Sequence, residues 1–276
     1  DFHGDMEHYF TEKQKLFSMC RAAVISTSTE YGKILAGSIK APCFPVSIGK
    51  TLWNIRKNGD LGVAFSLRYQ KKMIPFYLPV PGDFSVENGA LAAGSALCLG
   101  IPEETVQKAL AVFPGVPGRM ERVAGTPPEF SVFLDYAHTP DALEKLLRSV
   151  RGFAGERRVV LLFGCGGDRD RAKRPLMGRI ASRLADFLIL TSDNCRSEEP
   201  EAILSEILRG VDKEKPYTVI ADRREAIRYA ILNAQPGDVI LLAGKGHENY
   251  EIRGCERLPF SERDIVRACL AEREEK

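Results

Sequence analysis

Three short polar strings in the second half of this 276-residue chain hold residue types that could do chemistry. Gly164-Cys165-Gly166-Gly167-Asp168-Arg169-Asp170 follows the apolar run Arg158–Phe163, and Ser192-Asp193-Asn194-Cys195-Arg196 follows Phe187–Thr191. Gly244-Lys245-Gly246-His247-Glu248 follows Asp238–Ala243. Arg169 and Arg196 suit carboxylates, Asn194 suits mixed hydrogen bonding, and Asp193 and Glu248 suit an ammonium group. The glycines permit close approach of backbone to a ligand. A zwitterion with more than one carboxylate would match this set. One such loop alone is more often a solvated tip, but a series of three, each closing an apolar run, weighs against that reading. A fourth cluster is Asp135-Tyr136-Ala137-His138-Thr139-Pro140, where a lone His is usually a structural hydrogen-bonder.

Other strings fail on inspection. Ser47-Ile48-Gly49-Lys50-Thr51 has the end of a phosphate loop, but the position that needs its first glycine is Phe44 and no clean strand precedes it. Asp135, His138 and Cys165 have no spacing that compels a catalytic triad. Gly164–Gly167 lacks the third glycine of a dinucleotide fingerprint.

The elements that must position these residues are clearest in the second half. Arg158–Phe163, Phe187–Thr191, Tyr217–Ile220 and Asp238–Ala243 each fit a strand buried on both faces, as in a parallel sheet. Helical spacing follows Thr139-Pro140 (Leu143, Leu146, Leu147, Val150), Pro175 (Leu176, Ile180, Leu184) and Pro200 (Ile203, Ile207, Leu208). A last helix is expected over Ser261–Glu272, with Asp264 and Ser261 in a near capping box. Alternation of this kind means a doubly wound α/β domain, in which ligands bind beyond the carboxyl ends of the strands. If so, the three polar strings open on one edge. The first half is less regular. Met6–Cys20, Asn88–Leu99 and Glu103–Val112 read as helices, the second with a small-residue face of Ala90, Ala92, Ala93 and Ala96; LGVAFSL and MIPFYLPV, within residues 33–80, read as β-like. Pro114, Gly115, Pro117 and Gly118 make a hinge.

Composition bounds the function. Apolar residues at 44% and charged residues at 28% are ordinary globular values. The 39 Lys+Arg against 37 Asp+Glu give no electrostatic case for nucleic acid or an anionic membrane. No apolar run approaches the ~20 residues of a spanning helix, and no signal-peptide pattern opens the chain. Seven cysteines, odd in number and never in C-x-x-C, read as reduced thiols in a cytoplasmic protein. The chain opens on DFHGDMEHYF, already inside a patterned segment, and is expected to be cut.

The strings DFHGDMEHYFTEK (1–13), PGRMERV (117–123), DYAHTPDALEK (135–145), FGCGGDRDRAKRPLMG (163–178), TSDNCRSEEPEAI (191–203) and AGKGHE (243–248) resemble the Mur ligases, specifically their tripeptide-synthetase branch. They run in family order, with one weak stretch at about 27–80. The resemblance implies a partial P-loop-type central ATPase domain over residues 1–117, its phosphate loop upstream, then a doubly wound Rossmann-like C-terminal domain over 118–276. It implies an ATP-dependent ligase of peptidoglycan synthesis: ATP phosphorylates the D-glutamate carboxylate of UDP-MurNAc-L-Ala-D-Glu, and an amino acid's amine displaces phosphate. A carboxylate is a poor electrophile until one oxygen is turned into such a leaving group, and the developing charge calls for magnesium and cationic side chains.

Carried over residue by residue, Lys13 matches the lysine that becomes a carbamate and helps hold Mg2+. Asn88 matches an asparagine beside the adenine, Arg119 an arginine on the ATP phosphates, and Asp135 an acid at the ribose, with His138 in the same nucleotide-contacting motif. Arg169, Asp193, Asn194, Arg196, Gly244 and Glu248 match the pocket for the incoming amino acid. Enzymes that add meso-diaminopimelate carry D-N-P-R, whose Asn and Arg grip the distal carboxylate; here the string is Asp193-Asn194-Cys195-Arg196, so meso-diaminopimelate is the expected substrate. Loss of the proline frees φ in that loop.

Departures lie at Ser26-Thr27-Ser28-Thr29, where the family has N-x-D-D, and at Gly82-Asp83-Phe84-Ser85, where it has G-[RK]-F-N. With the phosphate loop upstream, this chain on its own is expected not to turn over ATP. Alternatives are a non-catalytic binding or scaffold module, an L-lysine-adding enzyme and a related ligase of the folylpolyglutamate or D-alanyl-D-alanine-adding type. The expected partners are the UDP-sugar dipeptide and the amino acid, with neither nucleic acid nor membrane, and the expected state is a monomer.

Overall fold

A computed structural model describes residues 5–123 and 130–275. Residues 1–4 of the first matching string therefore lie outside the described residues. The chain divides into two compact units, Asp1–Pro114 and Gly115–Lys276.

In the first unit the order is α1 (Met6–Phe17), β1 (Ala23–Ser26), α2 (Glu30–Ser38), β2 (Cys43–Val46), β3 (Leu52–Lys57), β4 (Val63–Tyr69), β5 (Lys72–Leu78), α3 (Asp83–Cys98) and α4 (Glu103–Ala111). β1 and β2 pair in parallel, and β3-β4-β5 form an antiparallel sheet. Phe65, Leu67, Ile74, Phe76 and Leu78 pack there against Val86, Ala90, Ala93 and Leu97 of α3. That helix begins at Asp83, five residues before the expected Asn88, because Gly82 adopts φ 100° and Asp83 supplies an acid to the first turn. Asn88 consequently lies on the exposed side of an established helix rather than at its start. Of the expected small-residue face, Ala90 and Ala93 are buried, whereas Ala92 is exposed. Their spacing of three places the packing stripe through Val86, Ala90, Ala93 and Leu97.

The second unit contains β6 (Glu121–Arg122), β7 (Ser131–Asp135), α5 (Pro140–Ala154), β8 (Val159–Phe163), α6 (Lys173–Leu184), β9 (Phe187–Leu190), α7 (Pro200–Leu208), β10 (Tyr217–Val219), α8 (Arg223–Leu232), β11 (Val239–Ala243), β12 (Tyr250–Arg253), β13 (Glu256–Pro259) and α9 (Glu262–Glu274). Its main sheet runs β10-β9-β8-β11-β7-β6, parallel except for β6. From β7 to β10 the chain advances in one direction, then doubles back to insert β11 between β8 and β7. Right-handed crossovers put helices of opposite travel on opposite faces. Accordingly α5, α6 and α7 cover one face, with Phe133, Leu161, Leu188 and Leu241, and α8 and α9 cover the other, with Val132, Leu162, Ile189 and Ile240. Strict alternation of neighbours between the two cores is why these strands read as unbroken apolar runs. Thr139 caps α5, its Oγ1 accepting from Ala142 N at 3.3 Å, and Ser261 caps α9 through Asp264 N at 3.3 Å.

One buried pair closes the sheet's carboxyl edge. Arg223, fully buried at the start of α8, donates to Glu262 Oε1 at 2.9 Å, to Ser192 O at 3.1 Å and to Ala243 O at 2.9 Å. Glu262 Oε2 has no hydrogen-bond partner among the described residues, and burial pushes the Glu262 carboxyl up despite the adjacent guanidinium. Removing one member of such a pair strands the other charge. Arg223→Met is therefore expected to lower unfolding free energy by about 3–5 kcal/mol, read from urea unfolding, with the Arg223→Met/Glu262→Gln double variant recovering only the part due to the stranded charge.

Candidate functional site

Because β7, β8, β9 and β11 are parallel, the loops that follow them share one edge, and the structure brings the three polar strings together there. Gly167 N donates to Asn194 O at 2.9 Å, and Arg196 Nη1 donates to Gly167 O at 2.8 Å and to Asn194 O at 3.3 Å, joining the loops after β8 and β9. A β-carbon on Gly167 would collide with Cys195 O, so only glycine lets the two loops meet. Gly244 is at φ 118°, a conformation that favours glycine, and a β-carbon there would stand 2.6 Å from Asp193 Oδ2 and displace that carboxylate. Gly244 N donates to Asp135 O at 3.0 Å, which ties the exit of β11 to that of β7.

Within this edge the groups are already sorted. Asp193, buried, accepts from Asn194 N at 2.6 Å and lies 3.9 Å from Lys245 Nζ. Asn194, also buried, donates from Nδ2 to Glu248 Oε2 at 2.9 Å. Arg196 keeps Nε and Nη2 without a partner among the described residues, the edge of a guanidinium that grips a carboxylate in bidentate fashion. Arg169 is exposed on the loop after β8. Arg196 also lines a cavity of about 390 Å³ with Ser192, Cys195, Glu198, Asp222 and Arg253; Asn194, Gly244 and Glu248 are not among its lining residues.

The loop holding Asn194 does not depend on a proline. Arg196 sits at φ 52°, a left-handed conformation that costs a side-chain-bearing residue about 1–2 kcal/mol. It is held there by pairing with the hairpin β12–β13: Arg196 N donates to Ile252 O at 3.1 Å, and Gly254 N donates to Arg196 O at 2.7 Å. Glu198 N closes the turn on Cys195 O at 3.1 Å. Sequence reasoning missed this hairpin, although Tyr250-Glu251-Ile252-Arg253, then Gly254-Cys255, then Glu256-Arg257-Leu258-Pro259 carries the signature of a two-residue turn. It also passed over Lys245, Arg223 and Arg174, which are fully buried cations.

Arg174 braces the loop from behind. It donates to Glu198 at 2.7 and 2.8 Å, to Glu206 at 2.9 Å and to Gly166 O at 3.3 Å. Glu198 also accepts from Asp168 N at 2.7 Å. The Arg174 guanidinium and that amide lower the Glu198 carboxyl from its ordinary 4.5 to about 2.

The residues matched to the nucleotide divide between the units. In the second, Asp135 is buried and accepts from Met120 N at 2.8 Å and Ala137 N at 2.9 Å. Burial raises its carboxyl, with the two amides pulling the other way. Arg119 is exposed, its guanidinium 5.0 Å from the Tyr136 ring centre, and that ring lies 4.6 Å from His138 and 5.1 Å from His247. His138 Nδ1 is 2.8 Å from Tyr136 O. In the first unit, Lys13 is exposed on α1 with Nζ 5.4 Å from the Tyr9 ring centre, and Asn88 is exposed on α3. Among the described residues no group of three or more His, Cys, Asp or Glu side chains is placed to hold a metal ion. Where the family has N-x-D-D, Ser26 and Ser28 both donate to Glu87, Ser28 at 2.8 Å. Asp83 pairs with Lys57 at 2.6 Å, and Ser85 Oγ donates to Pro81 O, just before α3, at 2.7 Å.

Comparison with known proteins agrees with this architecture. Residues 1–96 match the Mur ligase middle domain, and residues 118–246 match the Mur ligase glutamate ligase domain. The chain belongs to the Mur ligase family. Among its relatives is the UDP-N-acetylmuramoyl-L-alanyl-D-glutamate--2,6-diaminopimelate ligase of Synechococcus elongatus, 46% identical over 283 residues, with 99% of this chain and 56% of that protein covered. The like-named protein of Caldanaerobacter subterraneus subsp. tengcongensis is 46% identical over 279 residues, covering 99% and 57%. A solved structure of a ligase of that name superposes with TM-score 0.70 at 32% identity, over 99% of this chain and 58% of the other. The Thermotoga maritima UDP-N-acetylmuramate-alanine ligase shares the fold at TM-score 0.67 and 18% identity, over 99% and 56%. The chain thus spans just over half the length of the curated relatives it matches. Among the described residues no helix is long and apolar enough to cross a membrane.

Two outcomes follow from the local electrostatics. Glu198 has a depressed folded value, so its stabilising contribution is complete above about pH 4.5 and is lost as pH falls toward 2. Urea unfolding across that interval should show stability declining with acid, and Glu198→Gln should make the decline shallower. Burial holds the Cys165 thiol up at about 12, which removes the thiolate. At pH 8 iodoacetamide is expected to alkylate exposed Cys98 and Cys255 in the native chain and Cys165 only after denaturation, by peptide mass analysis.

Proposed function

We propose that the chain is part of an ATP-dependent amide-forming ligase that adds meso-2,6-diaminopimelate to UDP-N-acetylmuramoyl-L-alanyl-D-glutamate, the reaction stated in the names of its relatives. The γ-phosphoryl group of ATP passes to an oxygen of the D-glutamate carboxylate and ADP leaves. The amine of the amino acid then attacks the acyl carbon, phosphate leaves, and loss of a proton gives the amide. Activation as an acyl phosphate supplies the leaving group that a carboxylate lacks. ATP and Mg2+ are the cofactors of this reading, the ion balancing phosphate charge.

The second unit would receive the amino acid. The observation that carries this is that Arg196, Asn194 and Glu248 stand on the loops that follow β9 and β11 at one edge of the sheet, where the Asn194 amide donates to Glu248. Arg196 offers its free Nε/Nη2 edge to the distal carboxylate, Asn194 offers N–H, and Glu248 is the acceptor for an ammonium group. Arg169 adds a second cation at the rim, and the Asp193 contact with Gly244 fixes the floor. Lysine has no distal carboxylate, so Arg196 would face nothing. Arg119, Asp135 and His138 are proposed to serve the nucleotide, with Arg119 on its phosphates, and Asn88 its adenine; Lys13 is proposed as the carbamate that donates to magnesium.

Calorimetric titration of the chain with each amino acid tests the reading. Meso-diaminopimelate should bind and L-lysine should bind far more weakly. Arg196→Ala should weaken meso-diaminopimelate by about ten- to a hundred-fold, the loss of a charge-assisted carboxylate interaction. Tighter binding of lysine, or an unchanged affinity in Arg196→Ala, would overturn the assignment.

A further inference from the structure

The amide of Asn194 has two chemically different ends, and its neighbours admit one orientation. Its Oδ1 lies 3.0 Å from Lys245 Nζ and 3.0 Å from the backbone nitrogen of Ile252. An ammonium group and a peptide N–H are donors only. Reversing the amide would set donors against donors in a buried place, where unmatched polar groups are costly. Nδ2 therefore stands on the other side, donating to Glu248 Oε2 at 2.9 Å and retaining a second hydrogen.

Lys245 is itself fixed. It is fully buried, donates to Tyr250 O at 2.9 Å, lies 3.9 Å from Asp193 Oδ1 and sits 5.5 Å from the centre of the Phe260 ring. Its contacts thus gather the loop after β9, the strand β12 and its own loop around one ammonium. A mere tie between β11 and β12 would need only the bond to Tyr250 O. The bond to Asn194 does something further, because it decides which end of the amide a ligand meets.

We propose that Lys245, together with the Ile252 N–H, is a positioning residue for specificity: it locks Asn194 so that only N–H donors meet the amino-acid ligand, which selects a carboxylate and rejects an ammonium at that point. This rests on the amino-acid-binding reading above. A ligand carboxylate can accept the second Nδ2 hydrogen. A lysine side-chain ammonium, a pure donor, would find no acceptor on Asn194 and would have to compete for Glu248.

The test compares Lys245→Met, which keeps the length and removes the donor, with Lys245→Gln, whose Nε2 can still donate to Asn194 Oδ1. Calorimetry on the full chain gives the ratio of the L-lysine to the meso-diaminopimelate dissociation constant. The ratio should fall at least tenfold in Lys245→Met and be largely restored in Lys245→Gln. A Lys245→Met chain that weakens both ligands equally, leaving the ratio unchanged, would overturn the lock and leave the amino-acid reading intact. Failure of the wild-type chain to bind meso-diaminopimelate would instead overturn that reading and the specificity role resting on it. Nuclear magnetic resonance of the ligand-free wild type reads the orientation itself, whether or not the variants fold. Asn194 side-chain amide protons should show Overhauser contacts to the Glu248 methylenes, and contacts to the Ile252 N–H in their place would overturn the lock.

Discussion

Ser192 and Ala243 lie at the carboxyl ends of β9 and β11, strands that β8 separates in the sheet, and the carbonyls of both accept from Arg223. That guanidinium reaches them from the first turn of α8 because α8 belongs to the connection that doubles back across the sheet. Glu262, at the start of α9, neutralises it. Without a common anchor the two loops would leave the edge independently, each with unpaired carbonyls in a dry place. With it, Asp193 and Gly244 are brought into contact and the Asn194 amide comes within reach of Lys245 and Glu248. The polar edge is thus built on charges that are buried and paired, which makes it a rigid frame rather than a set of solvated tips.

The frame divides labour among groups that composition would call interchangeable. Arg223 and the two terminal nitrogens of Arg174 are held by protein acceptors, whereas Arg196 uses one nitrogen for the loops and, among the described residues, leaves its Nε/Nη2 edge without a partner. Asp193 receives the backbone of its own loop, while Glu248 is half-buried and accepts from the Asn194 amide. In the proposed ligase this sorting discriminates by charge pattern: a carboxylate meets Arg196 and Asn194, and an ammonium meets Glu248.

Much of this frame could be read from residue order. The strands β8, β9 and β11 stood out because their Val, Leu and Ile runs end in Gly or polar loops, and each differs from its expected bounds by at most one residue at either end. That these polar loops meet at one edge was legible because glycine and charge cluster where a parallel sheet ends. The buried cations were not. Lys245 and Arg223 are residue types that normally face water, and only tertiary placement distinguishes them from surface charges. The hairpin β12–β13 escaped because its alternation is short, and the early start of α3 because Gly82-Asp83 reads as a turn. The substitution of Cys195 for proline suggested a loosened loop; the bonds from Gly167, Ile252 and Gly254 supply the restraint instead, none of them adjacent in sequence.

The central claim is that the loops after β8, β9 and β11 form one site that reads both ends of a dicarboxylic amino acid. A crystal structure of the chain with bound meso-diaminopimelate tests it most directly. The account predicts one carboxylate within hydrogen-bond distance of the Arg196 Nε/Nη2 edge and of Asn194 Nδ2, with an ammonium group beside Glu248. A ligand bound away from these loops, or an ammonium group lying against Asn194, would contradict it.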